Sequence, residues 1–375
     1  MQNRWTRREL MQMGMVAGAV AFLPRDLAFS AQFVSKADPS PLAIPGPYPG
    51  RVVEVAHPGS IAGGKYQAGP VRDMMRRGMA SLTGEDDWAA AWKKFVSPGE
   101  VVGIKLNPVG APRVISAPEV VREIISGLNA AGIPNKDIVL YDRYRDQFFR
   151  AGFHKWAEGV RTAYAAPAFE NIQQNIEGYD PDHYMEMALT LPGYDISNER
   201  ARRSYAARFI TRDVNKLINL CLLKDHQSAG VTLALKNLSH GLVNNVNRSH
   251  GTNTLNACGA FIPAVVAMPV IRNRTVLHIM DGVKGVYHGG PPAQAQFVWE
   301  HKTMYFATDP VALDHVGWRA IDAQRAKVGM KPVAEDLPDK HSTFLRRQPE
   351  HVEIAGALGL GVFDWDKIDL RRFTL

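Results

Sequence analysis

The run Glu100-Val101-Val102-Gly103-Ile104-Lys105-Leu106-Asn107, followed by Ser116-Ala117-Pro118-Glu119-Val120-Val121 and by Asp137-Ile138-Val139-Leu140-Tyr141-Asp142, decides the fold. The first segment is β-branched and mostly apolar, the pattern of a buried strand. Ser116 with Glu119 three residues later predicts a capped helix start, and Pro118 suits its first turn. Val120, Val121, Ile124, Ile125 and Leu128 supply the apolar stripe, and Gly132 ends it. Strand, helix and strand in about forty residues form a βαβ unit. The expected class is therefore α/β, a mostly parallel sheet with helices on both faces.

Working outward, the pattern breaks between Arg143 and Arg208, where several tyrosines (Tyr164, Tyr179, Tyr184, Tyr194, Tyr205) and the turn signal Gly178-Tyr179-Asp180-Pro181 occur. This predicts an inserted, lid-like segment at about 143–208. Lys216–Leu223 and Val231–Leu235 then read as strands, as does Thr275–Met280. Asp309-Pro310 opens a helix through Val311, Leu313, Val316 and Ile321. On the other side, residues 31–50 are rich in Pro and Gly and read as an extended arm. Arg51–Val55 reads as a short strand, with helical stretches around Pro70–Met79 and Asp86–Phe95. The expected organisation is a leader (1–30), an arm with a helical segment (31–97) and an α/β domain (98–375).

The leader carries Arg4, Arg7 and Arg8, an apolar run from Met11 to Leu23, and Ala28-Phe29-Ser30 before Ala31. Thr6-Arg7-Arg8-Glu9-Leu10-Met11 fits a twin-arginine export signal. The apolar run is shorter than the roughly 20 residues that span a bilayer. The expectation is a protein handed to the twin-arginine machinery, periplasmic or otherwise exported, with no membrane span after cleavage. That route carries folded proteins, which favours a bound metal or organic cofactor without naming one.

The chain carries a net +7; its first thirty residues hold four Arg against Glu9 and Asp26, leaving +5 beyond them. No basic run or aromatic–basic interleaving suggests nucleic acid, and a small anionic partner fits the modest excess better. Cys221 and Cys258 each lie in an apolar segment, so a disulfide and two buried thiols both stay open. Two cysteines cannot hold a four-cysteine iron–sulfur cluster.

Ligands of open α/β sheets bind beyond the carboxyl ends of the strands. There the sequence places Lys105 and Asn107, Asp142, Lys224-Asp225-His226, Lys236-Asn237 with Ser239-His240, Asp281-Gly282, and Asp309. One lysine in an apolar run is ordinarily a snorkelling residue, whereas three point to a shared pocket. Lys105, Lys224 and Lys236 are read as catalytic groups that hold an anion or polarise a carbonyl. His226 or His240 is the expected general acid or base. Asn107, Asn237, Asp142 and His250 are expected to bind substrate, and Asp281 and Asp309 to hold a divalent metal or orient a base. His288-Gly289-Gly290-Pro291 is a loop whose amides could approach a ligand. No dinucleotide fingerprint, P-loop or nucleophile elbow is present.

Val102–Asn107, Lys224-Asp225-His226, Val231–Leu238, Asp281-Gly282, Thr308–Asp314 and the closing Ala355–Gly361 stretch resemble the hallmarks of the "domain of unknown function 362" family. The resemblance spans about residues 98–370. Many members carry a ferredoxin-like iron–sulfur domain, which the two cysteines here cannot supply. The resemblance implies no particular reaction. Two functions are expected: an exported enzyme acting on a small anionic substrate with or without a divalent metal, or a non-catalytic accessory or cofactor- or metal-binding protein of a periplasmic redox system.

Overall fold

A computed structural model describes residues 40–156 and 158–375, so the leader and residues 31–39 lie outside the described residues. Within 40–375 the main strands are β1 (Arg51–Ala56), β2 (Val102–Lys105), β3 (Ile138–Tyr141), β4 (Arg161–Ala163), β5 (Tyr179–Glu186), β6 (Arg203–Ala207), β7 (Lys216–His226), β8 (Thr275–Val286), β9 (Val298–Ala307) and β10 (Asp369–Thr374). The principal helices are α1 (Ala68–Thr83), α2 (Trp88–Lys93), α3 (Pro118–Ala130), α4 (Leu233–Leu242), α5 (Cys258–Val266), α6 (Pro310–Lys327) and α7 (His351–Ala357).

The central sheet runs β10-β1-β9-β8-β7-β2-β3-β4. β8, β7, β2, β3 and β4 pair in parallel, and β9 is antiparallel to both its neighbours. The fold is thus α/β with a mostly parallel sheet. Alternation along β7 sends Leu217, Cys221 and Leu223 to one apolar core and Ile218 and Leu220 to the other. α1, α2 and α3 cover the second face, and α4 to α7 cover the first. Among the described residues no helix is long and apolar enough to cross a membrane.

Several expectations change. Residues 40–50 are not an extended arm: they run in turns, Ile44 is buried, and its backbone exchanges hydrogen bonds with Arg272 (3.0 and 2.8 Å). β1 lies inside the sheet, so position 97/98 divides no unit of the fold. Part of segment 143–208 joins the sheet as β4, while β5 and β6 pair apart from it.

Val231–Leu235 is not a strand. Only Gly230–Val231 pairs, antiparallel to Asp225 and His226, and Leu233 starts α4. α4 is buried on nearly every side, so its apolar run lacks the polar stripe that distinguishes helix from strand in a sequence. Its start is held by the Asp314 carboxylate, which accepts from the amides of Ala234 (2.7 Å) and Leu235 (2.9 Å). That grip sustains a left-handed Leu233 (φ 43°), which costs on the order of 1 kcal/mol. Ser116 likewise caps no helix: Ala117 is the N-cap of α3, and the Ser116 hydroxyl instead accepts from the amide of Asn107 (2.8 Å).

Candidate functional site

The carboxyl ends of β2, β3 and β7 meet the first turns of α4 around a cavity of about 230 Å³. Its walls include Lys105, Asn107, Asp142, Lys224, His226, Lys236, Asn237, His240 and His250. Nine of the eleven residues singled out in the sequence are therefore brought together. β2, β3 and β7 are parallel neighbours ending at one edge, which is why residues so distant in sequence meet there.

The three lysines differ in their partners. Lys105, 2 % exposed, donates to Asp142 (2.6 Å), to Asn237 Oδ1 (3.3 Å) and to the Leu106 carbonyl. It has room to do so because position 241 is glycine: a Cβ there would lie 2.0 Å from Lys105 Cε. Lys224 donates to Asn107 Oδ1 (3.4 Å) and to the Val109 carbonyl. Lys236, 7 % exposed, makes no side-chain hydrogen bond or ion pair among the described residues. With Arg143, the cavity wall holds, among the described residues, four cationic side chains and one carboxylate, Asp142.

Burial dominates the electrostatics. It pushes the Lys105 ammonium down and the Asp142 carboxyl up, although each draws the other back toward its charged form. Lys224 is brought down to about 7 by burial and then by the charge of Lys236. Lys236 is brought down to about 8, again chiefly by burial. The same burial, with the Lys236 charge, holds His226 and His240 well below the usual imidazole range and His250 at about 3. The groups balanced near neutral pH are therefore lysines and not histidines, which revises the role expected of His226 and His240.

The hydrogen bonds of His226 fix its tautomer. His226 Nδ1 accepts from the amides of Ser228 (3.1 Å) and Ala229 (3.3 Å), so the neutral ring carries its proton on Nε2. His240 is bonded at both ring nitrogens, to Ser239 (3.0 Å) and Ser249 (3.2 Å). The His250 ring stacks on that of His226 (centroids 5.7 Å apart). His226 is thus a neutral donor, whereas His240 is a structural strut.

Three contributors escaped the sequence reading. Arg143 is buried and donates to the His240 (2.9 Å) and Val243 (3.1 Å) carbonyls; its place directly after Asp142 at a strand end was the available signal. Asn219 sits beneath the cavity: its Oδ1 accepts from Asn237 Nδ2 (2.7 Å), and its Nδ2 donates to His278 Nδ1 (3.1 Å) and the Ala234 carbonyl (3.1 Å). Asn237 Oδ1 is thereby turned toward Asn107 Nδ2 (3.0 Å) and Lys105. A polar residue inside the apolar β7 run was its only mark. Gln173 also lines the cavity; it anchors the Val246 amide through Oε1 (3.0 Å), and its buried Nε2 has no partner among the described residues.

The two carboxylates expected to hold a metal lie elsewhere. Asp281 falls within β8 rather than at its end, and accepts from Tyr66 Oη (3.0 Å) and the amides of Val283 (3.1 Å) and Ala117 (3.3 Å). Burial raises it to about 7. Asp309 accepts from four backbone amides, those of Gly50, Val311, Ala312 and Val362, at 2.8–2.9 Å. Position 361 is glycine because a Cβ there would come within 1.9 Å of Asp309 Oδ1. Neither carboxylate lines the cavity, and their oxygens are committed to donors, so they do not fit the metal role. Among the described residues no cluster of three or more His, Cys, Asp or Glu is arranged to hold a metal ion. The Gly290 amide faces Asp225 Oδ1 (2.8 Å), and Pro291 alone of that loop reaches the cavity. Cys221 and Cys258 are both free and buried.

No curated protein matches the chain. A crystal structure of a Thermotoga maritima protein, a structural-genomics target, is similar at 13% identity with a TM-score of 0.37. The alignment covers 60% of this chain and 52% of that one, so the chain spans about half its length. A family model described as "Domain of unknown function (DUF362)" matches residues 102–319, a span that holds every residue lining the cavity. The chain belongs to that family.

Proposed function

We propose that this is an exported enzyme that binds a small anion, carboxylate or phosphate, in the cationic cavity and moves a proton on it. The observation that carries the reading is Lys236: its side chain, 7 % exposed, lines the cavity and makes no hydrogen bond or ion pair among the described residues, and a ligand carboxylate or phosphate would supply the missing charge. Lys224 flanks the same space, and the His226 Nε2–H is free to donate to a bound oxygen. Asn107 and Asn237, oriented from beneath by Asn219, would set the ligand's angle. A bound anion raises both lysine pKa values and keeps them protonated, so in the complex an ammonium holds the anion and is the group placed to give it a proton. Export rests on the Arg7-Arg8 leader.

The test is calorimetric titration of the folded protein with inorganic phosphate, butyrate and a panel of short carboxylates. Binding is expected to weaken as pH rises through about 7 to 8, where Lys224 and Lys236 lose their protons. Binding that is absent throughout, or unaffected by Lys236→Met, overturns the reading.

A further inference from the structure

We infer that the ligand is an amphiphile: its anionic head fills the inner cavity, and an apolar or aromatic body lies in the groove outside it. The inference rests on the anion-binding reading above. The groove measures about 690 Å³ and shares with the cavity the walls made by Phe169, His226, Asn247, His250 and Pro291, so the two adjoin along that wall. Its remaining apolar wall is Ile172, Leu191, Pro192, Tyr194 and Phe344. Among the described residues no Asp, Glu, Lys or Arg lines it, and its two histidines are held neutral. All four cationic side chains therefore sit at the inner end and none along the outer one. A second space beside the cavity contrasts with it, because Arg143, Arg145, Glu170, Glu177 and Arg208 line that one.

The apolar wall is left to solvent although it is firmly placed. Phe169 is 51 % exposed, Ile172 46 % and Tyr194 36 %. The segment bearing Phe169 and Ile172 is pinned to the cavity-forming chain by Asn247 Nδ2 on the Asn171 carbonyl (2.9 Å) and by the Asn245 amide on the Gln173 carbonyl (3.0 Å). Tyr194 is held in a turn by its amide on the Leu191 carbonyl (3.1 Å). A rim of fixed, wetted apolar side chains next to a charged cavity is the complement of a molecule with one charged end.

The experiment compares two matched pairs by calorimetry: butyrate with 4-phenylbutyrate, and inorganic phosphate with phenyl phosphate. In each pair the aromatic member is expected to bind about tenfold tighter or more, the scale set by burying a few carbon groups. The double variant Ile172→Ser/Tyr194→Ser, whose residues touch only the groove, should lose that gain and keep the head-only affinity. Lys236→Met should lose all four. Equal affinities within both pairs, or a gain that survives the double variant, overturn the amphiphile while leaving the anion site standing. Absence of binding by all four ligands overturns both.

Discussion

Lys236→Met should stabilise the ligand-free protein while abolishing anion binding. The side chain keeps its length and loses its charge. A Lys236 pKa lowered from 10.5 to about 8 corresponds, at about 1.4 kcal/mol per tenfold, to about 3 kcal/mol charged against the folded state. Because the folded pKa lies below the unfolded one, this cost is fully present below pH 8. It is relieved as pH rises toward 10.5, where the unfolded chain also gives up its proton. At pH 7 the variant should therefore gain up to about 3 kcal/mol, on the order of 2 °C in Tm per kcal/mol at this size. The advantage should shrink steadily between pH 8 and 10.5. Thermal unfolding of both proteins in a buffer series without phosphate or carboxylate reads it directly. A variant less stable than the parent at pH 7, or a difference that does not narrow at high pH, would show that the ammonium already has a partner. A site residue whose removal stabilises the scaffold is the usual mark of strain kept for function.

Further outcomes follow from the same contacts. Asp142→Ala strips the ion pair from Lys105 and should cost about 3 kcal/mol in urea unfolding, because it strands a buried charge. Asp309→Ala leaves four amides without their acceptor and should cost about 3 kcal/mol, with anion affinity unchanged since Asp309 does not touch the cavity. Asn219→Ala should cost about 2 kcal/mol and also weaken phosphate binding several-fold, although Asn219 does not line the cavity; an unchanged affinity would separate it from the site.

Much of this molecule is legible in its sequence, for local reasons. The β2–α3–β3 unit announces itself because strand and helix periodicities alternate within forty residues, and parallel strands end at one edge. That edge is why Lys105, Asp142 and Lys224 were traceable as neighbours. α4 was not legible: a helix buried on every side has no polar stripe, and its start is fixed by Asp314, about eighty residues on. Asp281 and Asp309 misled because an acid beside an apolar run looks the same whether it faces a ligand or ties up backbone amides. Neutral histidines and near-neutral lysines arise from burial, which only the assembled fold creates.

The file Asn107–Asn237–Asn219–His278 runs from the cavity into the core, and each amide in it gives in one direction and takes in the other. Such a file has a polarity. Conversion of Asn237 or Asn219 to aspartate, including by spontaneous deamidation, would remove the donor that the next member needs and put a carboxylate where an amide must give. A change at Asn237 or Asn219 therefore acts on its neighbours in the file, and through Asn237 on the angle at which the cavity presents its charge.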